Sequence, residues 1–297
     1  MKVLVTGATG FIGSYLCDKF SQKGYEIIAL TRNPEKVKFK ALKWDGEKIE
    51  KLFDLSEIDA VINLAGETIF SLRWSEKKKK EIYGSRIKIT KALCNLVRNL
   101  NKKPEVFIQA SAIGYYKSKN EIQNEDGEKG DNFLSYVTSE WEKASEEIEK
   151  LGIRRVVARL GIVLGKGGFL KRIKLPFKFF MGSVMGDKNR WISWVHIDDV
   201  IGSFDYFIKN KNLNGIFNIT SPNPVRVGEF YKKMGNVLKR PCFFHIPDFL
   251  IKILMREMAK NLILVNQRII PERLVEAGYN FKFENIDDTL RDLLIDK

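Results

Sequence analysis

Short apolar runs alternate with helix-period segments through the first half of the chain. A glycine-rich turn follows the first of these runs, and the alternation stops at Gly165. Together these features predict an α/β fold: a doubly wound, mostly parallel sheet with a smaller C-terminal lobe over its carboxyl edge. Strands joined through helices run parallel, and a sheet covered on both faces needs strands that are apolar along their length.

The elements follow in order. "KVLVT" (2–6) reads as a buried strand, Phe11 to Lys23 as a helix closed by Gly24, and "YEIIAL" (25–30) as the next strand. "KALKW" (40–44) and "DAVINLA" (59–65) continue the sheet. Ser75 is placed to cap a long helix with Ile82, Ile89, Leu93, Leu96 and Leu100 down one face. "EVFIQASA" (105–112) is a fifth strand, Phe133 to Lys150 a helix, and "RRVVAR" (154–159) a sixth strand. Beyond Gly165, "GKGGFLKRIKLPFKFFMGSVMG" fits a loop and short helices covering a pocket. After "GIFNIT" (215–220), prolines punctuate a helical tail.

Composition narrows the function. The chain has 297 residues, 44% hydrophobic and 30% charged, as expected of a soluble globular protein. Its formal net charge of +14 comes largely from scattered lysines, which read as a solvated surface; no aromatic-interleaved basic motif points to nucleic acid. Three widely spaced cysteines and two histidines argue against a disulfide framework or a metal site. The chain opens directly into a strand, without a signal segment or a span long enough for a bilayer, so a reducing cytoplasm is the expected compartment.

The sharpest motif is "VLVTGATGFIG", with Gly7, Gly10 and Gly13 between a strand and a helix. The first glycine lets the chain turn, the second lets the backbone approach a pyrophosphate, and the third lets helix and strand pack closely. Thr9 belongs to the same turn. The helix start then aims unpaired N–H groups at the phosphates. This is the dinucleotide-binding pattern of a Rossmann fold. The expected organisation is a dinucleotide-binding domain over 1–165, joined again by 190–220, and a substrate lobe from 166–189 and 221–297. An NAD site carries an acid at the end of the second strand. Here "ALTRNP" places Thr31 and Arg32 there, and an arginine suits a 2′-phosphate, so the expected cofactor is NADP.

With "TGATGFIG", "NLAG", "SAIGYY" and "HIDDV", the chain resembles the extended short-chain dehydrogenase/reductase superfamily of epimerase/dehydratase type. "NLAGETIFSLRW", "GSRIKIT", "GIVLGKGG", "WISWVHIDDV" and "EMAKNLILVNQRIIPERLVEAG" are similar to an atypical subgroup of NADP-binding epimerase-family oxidoreductases. Some of these carry a cell-division-inhibitor label. The resemblance implies cofactor contacts from Gly7, Gly10, Phe11, Ile12, Gly13, Thr31, Arg32, Leu64, Ala65, Gly66, Glu81, Arg86 and Ile162. It also implies a catalytic role for Ser111.

Superfamily chemistry pairs a tyrosine with a lysine one helical turn later, whose charge lowers the phenol pKa. Tyr136 stands at the tyrosine place, but Glu140 occupies the lysine place. A second register, anchored on Glu142, puts Leu134 and Thr138 there instead. Either way the lysine is missing. Hydride from NADPH with a proton from Ser111, Tyr115, Tyr136 or water would reduce a carbonyl, whereas a high-pKa phenol is a poor base. The implied function is an NADP(H)-dependent oxidoreductase acting on a small molecule. The alternatives are a non-catalytic NADP-binding regulator linked to cell division and a sugar-nucleotide epimerase. Neither a nucleic acid nor a membrane is an expected partner, and a homodimer stays open. His196, Asp198 and Asp199 read as a strand end entering a helix capped by Asp198. Trp74, Trp141, Trp191 and Trp194 are candidates for the cavity wall, with core packing as the alternative.

Overall fold

The computed structural model describes residues 1–46, 49, 55, 57–71 and 74–295. Leu72 and Arg73, within one of the family stretches, lie outside them. The strands are β1 (Lys2–Thr6), β2 (Glu26–Thr31), β3 (Lys40–Lys43), β4 (Ala60–Asn63), β5 (Val106–Ala112), β6 (Lys119–Gln123) and β7 (Arg154–Leu160). They continue as β8 (Ile162–Leu164), β9 (Gly182–Met185), β10 (Trp191–Ile192), β11 (Trp194–His196), β12 (Gly215–Ile219), β13 (Val225–Arg226), β14 (Cys242–Ile246) and β15 (Gln267–Ile269). The helices are α1 (Phe11–Gln22), α2 (Glu76–Arg98), α3 (Phe133–Lys143), α4 (Gly168–Lys178), α5 (Ile197–Lys209), α6 (Val227–Leu238), α7 (Asp248–Met258), α8 (Glu272–Glu276) and α9 (Ile286–Leu294).

Seven strands form one parallel sheet in the order β12-β7-β5-β4-β1-β2-β3. The order reverses between β1 and β4, which opens a crevice at their carboxyl ends, the ligand position in doubly wound sheets. Alternate residues of each strand feed opposite faces. Val3 and Val5 join the core cluster that contains Leu16 and Phe20 of α1, while Leu4 joins the cluster that contains Leu93 and Val97 of α2. A third cluster sits in the lobe, where Leu170, Ile173 and Phe177 of α4 meet Phe230 and Met234 of α6 and Leu290 and Leu293 of α9. Among the described residues no helix is long and apolar enough to cross a membrane.

Two local expectations need correction. The helix begun at Phe133 ends at Lys143, and a 3₁₀ segment covers Glu146–Leu151 before Gly152 turns the chain with φ of 72°. The cause is competition for one carbonyl: Ser145 Oγ donates to Glu142 O at 2.9 Å and Arg155 Nη1 donates to it at 3.3 Å. The cap of α5 is His196, not Asp198: its Nδ1 accepts from Asp198 N at 3.0 Å. The Asp198 carboxylate is engaged elsewhere, by Tyr15 Oη at 2.5 Å and Lys282 Nζ at 2.8 Å. Ser75 caps α2 as expected, accepting from Lys78 N.

Candidate functional site

A cavity of about 410 Å³ runs from the turn after β1 to the C-terminal lobe. Four strand ends build its inner wall: Gly7 follows β1, Leu64 and Gly66 follow β4, Ser111 lies in β5, and Gly161 and Ile162 follow β7. A buried polar chain fixes these ends against one another. Thr6 Oγ1 donates to Asn63 Oδ1 at 2.6 Å. Asn63 Nδ2 donates to Thr90 Oγ1 at 2.8 Å and to Gln109 Oε1 at 2.9 Å, and Trp141 Nε1 donates to Thr90 Oγ1 at 3.0 Å. Each member is buried and paired, so the strand tips and α2 hold one arrangement.

The glycine turn has the shape of a phosphate cradle. Gly7 has φ of 72°, and a Cβ there would stand 2.6 Å from Leu64 O. A Cβ on Gly13 would stand 2.1 Å from Gly7 O, so only glycine allows α1 to sit this close to the turn. α1 begins without a side-chain cap. Its first N–H groups therefore suit an anion from outside the helix.

Arg86 projects from α2 into this cavity. It is the only charged side chain among the described lining residues. Its Nη1 donates to Glu67 O at 3.1 Å and Ile82 O at 3.0 Å, and the guanidinium lies 5.0 Å from the Trp141 ring centre. No carboxylate forms a salt bridge with it among the described residues; the two backbone carbonyls and the Trp141 ring hold it. Burial pushes its pKa down to about 10, because the charge has lost water and the Glu67 carboxylate, which is not in contact with it, offsets only part of that loss.

The cavity brings together Gly7, Gly10, Phe11, Ile12, Gly13, Leu64, Gly66, Arg86, Ser111 and Ile162. It does not include seven others. Thr9 and Arg32 are exposed at the turns after β1 and β2, and Thr31 is buried at the end of β2, where its Oγ1 accepts from Asn33 N. Ala65 follows β4 with its N–H donated to Asn63 Oδ1. Glu81 is exposed and lies 3.8 Å from Lys78 Nζ. Tyr115 carries the Arg159 guanidinium 3.5 Å from its ring centre.

Tyr136 is half-exposed on the outer face of α3, stacked on Tyr83 with ring centres 5.9 Å apart. Leu134, two residues earlier and so roughly 200° away around the helix, faces the cavity instead, together with Trp141. Of the two registers, the one anchored on Glu142 puts the residue at its tyrosine place, Leu134, in the cavity wall, while Thr138 is turned to the backbone of its own helix. Trp191 also lines the cavity, whereas Trp74 and Trp194 belong to core clusters.

Ser111 is buried, and its Oγ donates to Glu142 Oε1 at 2.6 Å. Arg159 grips the same carboxylate at two points, Nε to Oε1 and Nη2 to Oε2, both 2.8 Å. Sequence reading did not bring out Arg159, because a strand arginine ordinarily signals an exposed edge. It also missed Tyr231 of α6, which lines the cavity, is 4% exposed and has no hydrogen-bond partner for its hydroxyl among the described residues. Burial raises the Tyr231 pKa well above the usual phenol range. Its position in α6 carries only the signature of core packing, so no sequence signal distinguished it.

The model of the NAD dependent epimerase/dehydratase family matches residues 3–220, and a domain of unknown function, DUF1731, matches 246–293. The chain is 35% identical to the epimerase family protein YfhF of Bacillus subtilis, over 100% of this chain and 99% of that one. It is 37% identical to the chloroplastic SDR39U1 homolog of Arabidopsis thaliana, over 99% of this chain and 87% of that one. The crystal structure of the human epimerase family protein SDR39U1 with NADPH superposes with a TM-score of 0.89 at 30% identity, covering 99% of each chain.

Proposed function

The chain belongs to the NAD dependent epimerase/dehydratase family, and on that premise we propose that it is an NADP(H)-dependent oxidoreductase that reduces a carbonyl on a small molecule. One observation carries the cofactor half: a cavity whose sole charged side chain, among the described residues, is the unpaired guanidinium of Arg86, beside a glycine cradle and an uncapped helix start. That set fits an anionic dinucleotide. The phosphorylated form is supported by the absence of an acid at the end of β2, where Arg32 stands exposed, and by the NADPH in the human relative.

When bound, the reduced coenzyme supplies a hydride. The protein's own contribution starts with the glycine turn and the α1 N–H groups, which would take the pyrophosphate, while Arg86 balances its charge. Leu64 and Ile162 make the neighbouring wall apolar and exclude water. Ser111 Oγ would rotate away from Glu142, a turn about one bond, to hydrogen-bond the carbonyl oxygen, and water would supply the proton that the alcohol product takes up. Tyr231 is held protonated and so can donate but not accept a proton near neutral pH. The described lining contains no lysine, histidine or carboxylate to serve as a base, which favours reduction over alcohol oxidation.

The test is a fluorescence titration with NADPH and NADH, followed by NADPH consumption over a panel of aldehydes and ketones. The expected outcome is NADPH binding tighter by about tenfold or more, with turnover of one carbonyl class. Failure to bind either coenzyme overturns the reading. Tight NADPH binding with no turnover anywhere on the panel supports the regulator instead.

A further inference from the structure

A second cavity of about 470 Å³ adjoins the first and shares with it Phe70, Phe169, Met185, Tyr231 and Ile263. The rest of its wall comes mainly from α4, β9 and α7, with Ile173, Phe177, Met255 and Met258 as its apolar lining. Such a volume is within the range of small-molecule sites. Methionine side chains adapt to a ligand of variable shape. Among the described lining residues only Ser71, Arg172, Ser183 and Tyr231 carry polar side-chain atoms other than sulfur, and Ser183 Oγ donates to Met181 O at 2.9 Å, so the wall suits an aliphatic body better than a sugar.

Two polar groups mark where a ligand's own polar groups belong. Tyr231 stands in the wall common to both cavities, almost wholly buried, with an unpartnered hydroxyl among the described residues. Its hydroxyl is not among the sealed, unsatisfied polar atoms of the interior, so from the wall of the two cavities it can pair with a ligand's carbonyl. Arg172 is the only charged side chain among the described residues of the second cavity. It is exposed, its guanidinium lies 5.5 Å from the Phe70 ring centre, and it has no carboxylate partner among the described residues. It suits an anion.

We propose that the second cavity binds the body of a chain-like aliphatic oxo-acid. The carbonyl end lies at the junction, hydrogen-bonded by Tyr231. The aliphatic chain fills the space between α4 and α7. The carboxylate reaches Arg172. The carbonyl assignment rests on the reduction proposed above; the chain and carboxylate assignments rest on the second cavity alone.

The experiment uses the NADPH-loaded protein and isothermal titration with hexanoate, dodecanoate, dodecanol and ω-oxododecanoate. Dodecanoate is expected to bind more than about tenfold tighter than hexanoate, because each buried methylene adds affinity. Met255→Trp should abolish that difference while NADPH affinity is retained. Arg172→Gln should bring dodecanoate down to the affinity of dodecanol. Tyr231→Phe should weaken ω-oxododecanoate more than dodecanoate. The absence of any length preference overturns the proposal, as does dodecanoate binding that Met255→Trp leaves intact. If Met255→Trp loses NADPH binding, Ser183→Leu fills the same cavity from β9 and decides by the same reading. Dodecanoate binding that responds to these variants, with no NADPH oxidation by ω-oxododecanoate, keeps the second site and removes the reduction.

Discussion

Ser111 Oγ and Glu142 Oε1 are joined by a buried 2.6 Å hydrogen bond, and Arg159 holds both oxygens of the same carboxylate. The serine is thus oriented by a group that is itself fixed. Ser111→Ala should leave the fold intact and lower kcat by about 10²-fold, read from initial rates on the best carbonyl substrate. Glu142→Ala should act differently. It strands the buried Arg159 guanidinium and should cost about 3–5 kcal/mol, read as a lowered midpoint in urea. Equal rates for Ser111→Ala and the parent would remove the serine from the chemistry.

Arg86 offers a test that separates binding from stability. Arg86→Met gives up two hydrogen bonds to backbone carbonyls but also sheds a desolvated charge. The apoprotein should stay within about 1 kcal/mol of the parent in chemical denaturation. NADPH affinity should fall by about tenfold or more, as expected when a charge-assisted contact to a phosphate is lost.

Arg32 should govern coenzyme choice and little else. It is exposed at the end of β2, where NAD sites carry an acid. Arg32→Ala is expected to weaken NADPH by about tenfold and leave NADH within about twofold. Competition titrations with both coenzymes check this. Equal losses for the two would mean that Arg32 does not read the 2′-phosphate.

His196 should make stability depend on acid. Its pKa is lowered, first by burial, although Asp198 and Asp292 pull the other way. Its Nδ1 must stay unprotonated to accept from Asp198 N, and its ring stacks on Phe283 at 3.8 Å. Nε2 lies 3.4 Å from Asp292 Oδ2 but lacks hydrogen-bond geometry. The folded protein therefore binds this proton less readily than the unfolded chain. The contribution is fully present above the unfolded value of about 6.5 and is lost as pH falls towards the lower folded value. The Tm should drop between about pH 7.5 and pH 5.5, and His196→Asn, which keeps a capping oxygen, should flatten that drop.

The two tyrosines offered as proton donors show where local reasoning stopped. The spacing of Tyr136 and Glu140 was plain in the sequence, but the face of α3 that meets the cavity was not. Leu134 and Trp141 take that face, while Tyr136 lies half-exposed against Tyr83 of α2, away from the cavity. Tyr115 is held by Arg159, a partner more than forty residues away in sequence. Tyr231 was invisible for the same reason: its environment is assembled from α4, α6, β9 and α7.

The sequence by itself determined the parallel sheet, the glycine cradle at Gly7, Gly10 and Gly13, and the basic residue after β2. Those features are written in neighbouring residues, through strand periodicity and backbone sterics that act over a few positions. Only the tertiary structure decided which side chains face one another across the crevice: Arg86 without a carboxylate, Ser111 tied to Glu142, and Tyr231 unpaired between two cavities. The physical reason is that burial and pairing depend on segments that meet only after the sheet has assembled and the lobe has packed over its carboxyl edge.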